Sequence, residues 1–199
     1  MQPGDTGKSA DSTEQDADII AATRTWLEKA VIGLNLCPFA KPAHAAGRIR
    51  YALSSATTEQ ALLADLEREL ETLAEASPAG METTLLIHPH VLGDFYDFND
   101  FLEVAEATVT ALDLEGIIQV ASFHPHYQFA DTAPGDISNF TNRSPYPMLH
   151  LLREDSIERA VQSHPDTDAI YQRNIETLRK LGHQGWDALG LGPEKPPKR

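Results

Sequence analysis

Two short words in this chain hold most of the side chains able to do chemistry: LIHPHVLGDF, with His88 and His90, and SFHPHYQF, with His124 and His126. Each sets two imidazoles two residues apart at the end of an apolar, β-rich run. In extended backbone the side chains alternate between faces, so both rings of a His-x-His unit point the same way and can share a metal ion. His88, His90, His124 and His126 would together hold zinc or another divalent transition metal, with Asp94, Asp97, Asp131 or Asp136 adding an oxygen. Such a metal would polarise a substrate or lower the pKa of a bound water towards ~7. The structural alternative is a proline that ends a strand, flanked by polar residues that satisfy loop carbonyls.

Cys37 lies in GLNLCPFAKP, between an apolar run and a proline. If Pro38 opens a short helix, Cys37 is its N-cap, where unpaired amides and the helix dipole favour the thiolate. Cys37 would then be a nucleophile with His124 as its base. The alternative is packing, since free cysteine is among the most buried residue types.

The stretch from Tyr127 to Pro147 follows the second histidine pair directly and contains Asp131, Asp136, Asn139, Asn142, Arg143 and Ser144. With Phe129, Phe140 and Tyr146 as anchors, it reads as an ordered loop beside the site. Arg143 offers a planar fork to a carboxylate or phosphate, and Asn142 a neutral donor and acceptor. Hydrogen bonding within the loop is the other reading for Asn139 and Asn142. His150 and Arg153, in MLHLLRE, complete the candidate substrate contacts; on a strand they face opposite sides, on a helix they are neighbours. His44, His164 and His183 stand alone in polar surroundings and receive no role.

The elements that must position these groups follow from periodicity. Ile20, Thr23, Leu27, Ala30 and Val31 recur at helical spacing until Gly33; Leu62, Leu66, Leu70 and Leu73 form a second helix behind a Thr57/Gln60 capping box; Phe98 to Leu112 form a third, capped by Asp97 or Asn99. Strands are expected at 49–53, 83–87 and 117–123. Residues 148–152 read as a fourth strand, or as the first helical turn after Pro147. Helices are expected at 156–161 and 167–181. Strand, helix, strand, helix, strand describes parallel crossover units, so the expected fold is α/β: a small open, mainly parallel sheet of three to four strands with flanking helices. Ligands of such sheets bind outside the carboxyl ends of the strands, where both histidine pairs fall. One α/β domain over residues 16–184 is expected, between a disordered segment 1–15 and a flexible tail 185–199.

Composition excludes several classes. The chain has 199 residues, 41% of them apolar, and a net charge of −14, with 30 acidic against 16 basic side chains. It would repel nucleic acid and anionic membranes. A single cysteine rules out an internal disulfide, and no stretch approaches the ~18 apolar residues of a membrane span, so a cytoplasmic protein is expected. No phosphate-cradling or dinucleotide motif is present, and neither GxSxG nor HExxH occurs. A small-molecule ligand is expected, and the composition does not identify a protein partner.

In the words GLNLCPFA, LLIHPHVLGDFYDFNDFL, QVASFHPHYQFAD and NFTNRSPYPMLHLLRE the chain resembles the bacterial family known as domain of unknown function 1415. The likeness runs from about Trp26 to about Leu181. It implies a bacterial, soluble, stand-alone protein and brings no activity, cofactor or catalytic residue with it. The residues themselves favour a metal-dependent, hydrolase-like enzyme acting on a small anionic molecule oriented by Arg143. The alternatives are a thiolate enzyme using Cys37 and His124, and a small-molecule or partner-binding module whose histidines are structural.

Overall fold

The structure is a computed structural model that describes residues 7–163 and 167–191. Four strands, β1 (Ile49–Leu53), β2 (Thr83–Ile87), β3 (Ile118–Phe123) and β4 (Met148–Arg153), form one open sheet in the order β1-β2-β4-β3. Helix α3 (Glu59–Glu75) joins β1 to the parallel β2, and α4 (Phe95–Ala111) joins β2 to β3. The fold is α/β with flanking helices, and residues 148–153 are strand.

The sheet is not mainly parallel, because β4 lies between β2 and β3 and runs antiparallel to both. The connections explain the difference. Each helical crossover returns the chain to the end where its strand began, so β1, β2 and β3 share one direction. The connection from β3 to β4 is instead a loop that stays at the carboxyl end, where Met148 pairs with both Ile87 and Phe123. A strand that starts beside two strand ends can only run back.

Strand alternation divides the core into two layers. Leu86, Leu149, Leu151 and Ile118 bury against Leu62, Leu66, Leu70 and Leu73 of α3 and Phe98, Phe101 and Ala105 of α4. Leu85, Ile87 and Met148 face the other way, towards Trp26, Leu27, Ala30 and Val31. Each fully buried leucine contributes about 1.5–3 kcal/mol of transfer free energy.

Helix starts differ from the sequence expectation where caps compete. Thr58, not Thr57, caps α3, its hydroxyl accepting the Ala61 N–H at 3.3 Å. Asp94, not Asp97 or Asn99, caps α4: its carboxylate accepts the Tyr96 and Asp97 N–H groups at 2.8 and 3.4 Å, so the helix starts three residues before Phe98. The first helix, α1 (Gly7–Trp26), begins upstream of Ile20 and continues through a π-helical segment, Leu27–Ile32. A short α2 (Ala40–Ala45) follows. Helix α5 (Glu154–Ser163) comes directly after β4, and α6 (Thr167–Asp187) breaks at Gly182, whose φ is +66°. Residues 1–6 and 192–199 of the two expected end segments lie outside the described residues; 7–15 are helical, and Leu191 is buried.

Candidate functional site

The carboxyl ends of β2 and β3 bring His88 and His124 to the two sides of the start of β4. The His88 N–H donates to the Pro147 carbonyl at 3.1 Å, and the His124 N–H to that of Asn142 at 3.1 Å. Both rings turn into the α4 layer and are fully buried. His88 stacks on Phe98 with centroids 5.8 Å apart, and His124 lies 5.0 Å from Phe98 and 5.5 Å from Phe95. Tyr127 closes the cluster, 5.2 Å from Phe95.

The ring nitrogens are unequally committed. His124 donates Nε2–H to the Leu92 carbonyl at 3.1 Å, while its Nδ1 accepts the His126 N–H at 3.0 Å, so both of its nitrogens are used. His88 donates Nδ1–H to the Val91 carbonyl at 3.1 Å, which leaves the Nε2 lone pair buried and without a partner among the described residues. Burial is the main cause that pushes each ring's pKa down to about 4, opposed only in part by the bonds to the Val91 and Leu92 carbonyls, so both are neutral near pH 7. Both carbonyl acceptors belong to one turn, in which Leu92 takes the left-handed conformation at φ +56°.

His90 and His126 are exposed at this rim and face outward. Among the described residues no three His, Cys, Asp or Glu side chains converge as metal ligands would. The four imidazoles share one rim, two of them buried and two exposed.

Arg143 is engaged inside its own loop. Its Nε donates to the Tyr127 carbonyl at 3.3 Å, its Nη2 to that of Pro134 at 2.6 Å, and the guanidinium lies 4.2 Å from the centroid of the Phe140 ring. Trp26 fixes the same residue by donating Nε1–H to the Arg143 carbonyl at 2.8 Å. Asn142 donates to the Ser122 carbonyl at 3.2 Å. Buried Asn139 accepts from the Phe129 N–H and the Thr132 hydroxyl and donates to Ala133, which is the loop-internal role.

His150 and Arg153 face opposite sides of β4, as strand geometry requires. His150 donates Nε2–H to the Thr83 hydroxyl at 2.7 Å, and burial pushes its pKa down to about 4. Arg153 donates to the Leu73, Ala76 and Met81 carbonyls, closing the carboxyl end of α3 far from the histidines. Cys37 is half-buried against the Trp26 layer, on the sheet face opposite His124. Burial raises its pKa, and contacts with the Phe39 and Ala40 amides only partly oppose that.

Sequence reasoning singled out His88 and His124 but read Phe98 only as part of a helix and passed over Phe95 and the Val91 and Leu92 carbonyls. The Leu92-Gly93 pair after His-Pro-His was the available signal of a tight turn.

The class so defined is an α/β protein with one mixed four-stranded sheet and a buried histidine–aromatic cluster at its rim. The chain belongs to the family described as protein of unknown function, DUF1415, whose model matches residues 18–188. Neither the curated proteins nor the solved structures provide a match to it. Among the described residues no helix is long and apolar enough to cross a membrane.

Proposed function

We propose that the protein binds a small molecule at the rim formed by the carboxyl ends of β2 and β3, and that the ligand gives a hydrogen-bond donor to Nε2 of His88. That nitrogen carries the reading: it is buried, unpartnered among the described residues, and part of a neutral ring. A buried acceptor left unpaired costs about 1–3 kcal/mol, and a ligand N–H or O–H removes that cost. The bond from Nδ1–H to the Val91 carbonyl fixes tautomer and ring orientation, as backbone carbonyls do for imidazoles that bind ligands or metals.

Entry requires the 88–94 turn to open. Leu92 is the place for it, because a left-handed leucine stores of order 1 kcal/mol of strain and persists only while its surroundings hold it. His124 supplies that hold through the Leu92 carbonyl. In this reading His88 is the ligand contact, His124 is a positioning residue, and exposed His90 and His126 flank the entrance. A zinc ion would use the same His88 lone pair, but His124 could join it only by giving up a bond it now makes.

The test is native mass spectrometry with elemental analysis of gently purified protein, comparing wild type with His88→Phe and His124→Ala. A small molecule that co-purifies with wild type and is lost in His88→Phe supports the reading. A stoichiometric metal lost in both variants would replace it with a metal centre. Bare wild-type protein, with an ordered water on His88 Nε2 in a crystal structure, would overturn it.

A further inference from the structure

A second concavity lies towards the amino ends of β1 and β2, at the opposite end of the strands from the histidine rim. It is open to solvent, has a volume of about 330 Å³ and is lined by Arg24, Arg48, Arg50 and Tyr51, with Ile20 and Met81 as apolar wall. No acidic side chain lines it, in a chain with 30 acidic residues and a net charge of −14. Chance placement on so acidic a surface would put carboxylates there.

Two of the arginines are anchored from behind. Arg50 makes a bidentate pair with buried Glu69, at 2.7 and 3.1 Å, and Arg48 pairs with Glu82 at 3.3 Å. Arg24, from α1, lies 4.3 Å from the centroid of the Tyr51 ring, and no described carboxylate pairs with it. Arg48 and Arg50 are thus neutralised by a paired carboxylate each, while Arg24 has no ion pair among the described residues; the acidic influence on this wall is Glu28, one turn further along the helix and paired with His44. Two polar atoms of these lining residues are buried behind the wall without a hydrogen-bond partner: Arg48 Nε and the Tyr51 hydroxyl. Both are donors, and an unpaired buried donor calls for an acceptor. Glu82 Oε2 is likewise short of a hydrogen bond, but it faces the Arg48 guanidinium.

We propose that this cavity is a binding site for a small organic oxyanion, a carboxylate or a phosphate monoester. Arg24 supplies the unpaired charge, Arg48 Nε and the Tyr51 hydroxyl, both buried in the present arrangement, turn outward to donate to the oxyanion, and Ile20 and Met81 cover the apolar part of the molecule. Planar guanidinium forks suit both headgroups, and the volume falls at the small end of ligand pockets, about 300–1,000 Å³. The sequence signal is Arg48-Ile49-Arg50-Tyr51, a basic word on an edge strand of an acidic protein. Arg143, to which sequence reasoning gave the anion, commits two of its five donors to loop carbonyls.

The test uses the full chain and two probes, sodium benzoate and phenyl phosphate, in calorimetric titration and thermal denaturation, with sodium chloride at matched ionic strength as control. Saturable binding of either probe is expected, weakened at least tenfold in Arg24→Gln and severalfold in Tyr51→Phe, and unchanged in His88→Phe. Arg24 is exposed and Tyr51→Phe removes one oxygen, so both variants keep the fold. Binding of benzoate alone assigns a carboxylate, and binding of phenyl phosphate alone a phosphate monoester. No saturable response to either probe beyond the chloride control, or wild-type affinity in both Arg24→Gln and Tyr51→Phe, would overturn the site.

Discussion

His124 Nε2 lies 3.1 Å from the carbonyl oxygen of Leu92, 32 residues earlier, and that bond ties the second His-Pro-His word to the turn that follows the first. Leu92 is left-handed, so the bond also holds a conformation that leucine avoids. The rim is thus one unit made from two strand ends, with one histidine restraining the turn and the other presenting an open acceptor.

Replacing His124 by Phe keeps most of the ring volume against Phe95 and Phe98 and removes both of its hydrogen bonds. The Leu92 carbonyl is left unpaired, at a cost of about 1–3 kcal/mol. Urea denaturation should show a loss in that range, and amide exchange at His126 and through 91–95 should quicken. Unchanged exchange in the turn would show that His124 does not hold it.

Stability should fall in mild acid. Burial holds His88, His124 and His150 at about 4, against an ordinary value of 6.5. Between those values the unfolded chain takes up protons that the folded chain refuses, so unfolding free energy is highest above pH 6.5 and declines as pH drops towards 4. The slope is roughly 1.4 kcal/mol per pH unit per histidine inside the window. Denaturation curves from pH 7 to 5, above most carboxylate titration, should show it, and His88→Phe should lower the slope by one histidine's share. The same slope in both proteins would contradict the buried neutral state of His88.

Arg153→Met should be costly although Arg153 lies far from the rim. Its guanidinium satisfies the Leu73 and Ala76 carbonyls at the end of α3, and the residue is buried. Losing these charge-assisted bonds should cost about 2–4 kcal/mol, measured by chemical denaturation, with little change in ligand binding at the rim or in the arginine cavity. A neutral outcome would mean that solvent replaces the arginine at those carbonyls.

Helices α3 and α4, the first three strands and the position of the histidines at strand ends were legible in the sequence because each rests on local periodicity, whereas residues 148–152 read as a strand or as a first helical turn. The place of β4 was not, since strand order depends on whether a connection crosses the sheet or stays at one end, and the 124–147 loop has no period to read. Cap choice failed by one residue at Thr58 and by three at Asp94, because adjacent Thr and Asp residues offer equivalent side chains and the backbone decides between them. At the site, residue type singled out His88 and His124, but their hydrogen bonding depends on the Val91 and Leu92 carbonyls, and backbone carbonyls are present in every sequence. Arg143 looked like an anion fork, and two of its donors go to the backbone carbonyls of Tyr127 and Pro134.

Arg143→Lys tests that last point. Lysine keeps the charge but cannot span two carbonyls while lying flat on Phe140. A loss of about 1–2 kcal/mol by denaturation is expected, with faster amide exchange between 127 and 140 and unchanged benzoate and phenyl phosphate binding. Loss of anion binding in this variant would return Arg143 to the ligand site.

The most direct test of the rim is the protonation pattern of its two buried rings, read from nitrogen-15 imidazole spectra at pH 7. The structure requires opposite neutral tautomers: His88 protonated on Nδ1 with a bare Nε2, and His124 protonated on Nε2 with Nδ1 accepting the His126 amide. Finding those two tautomers, with the His88 Nε2 signal free of any protein partner, is the predicted result. A His88 ring protonated on Nε2, or charged at pH 7, would leave no open acceptor and contradict the proposal.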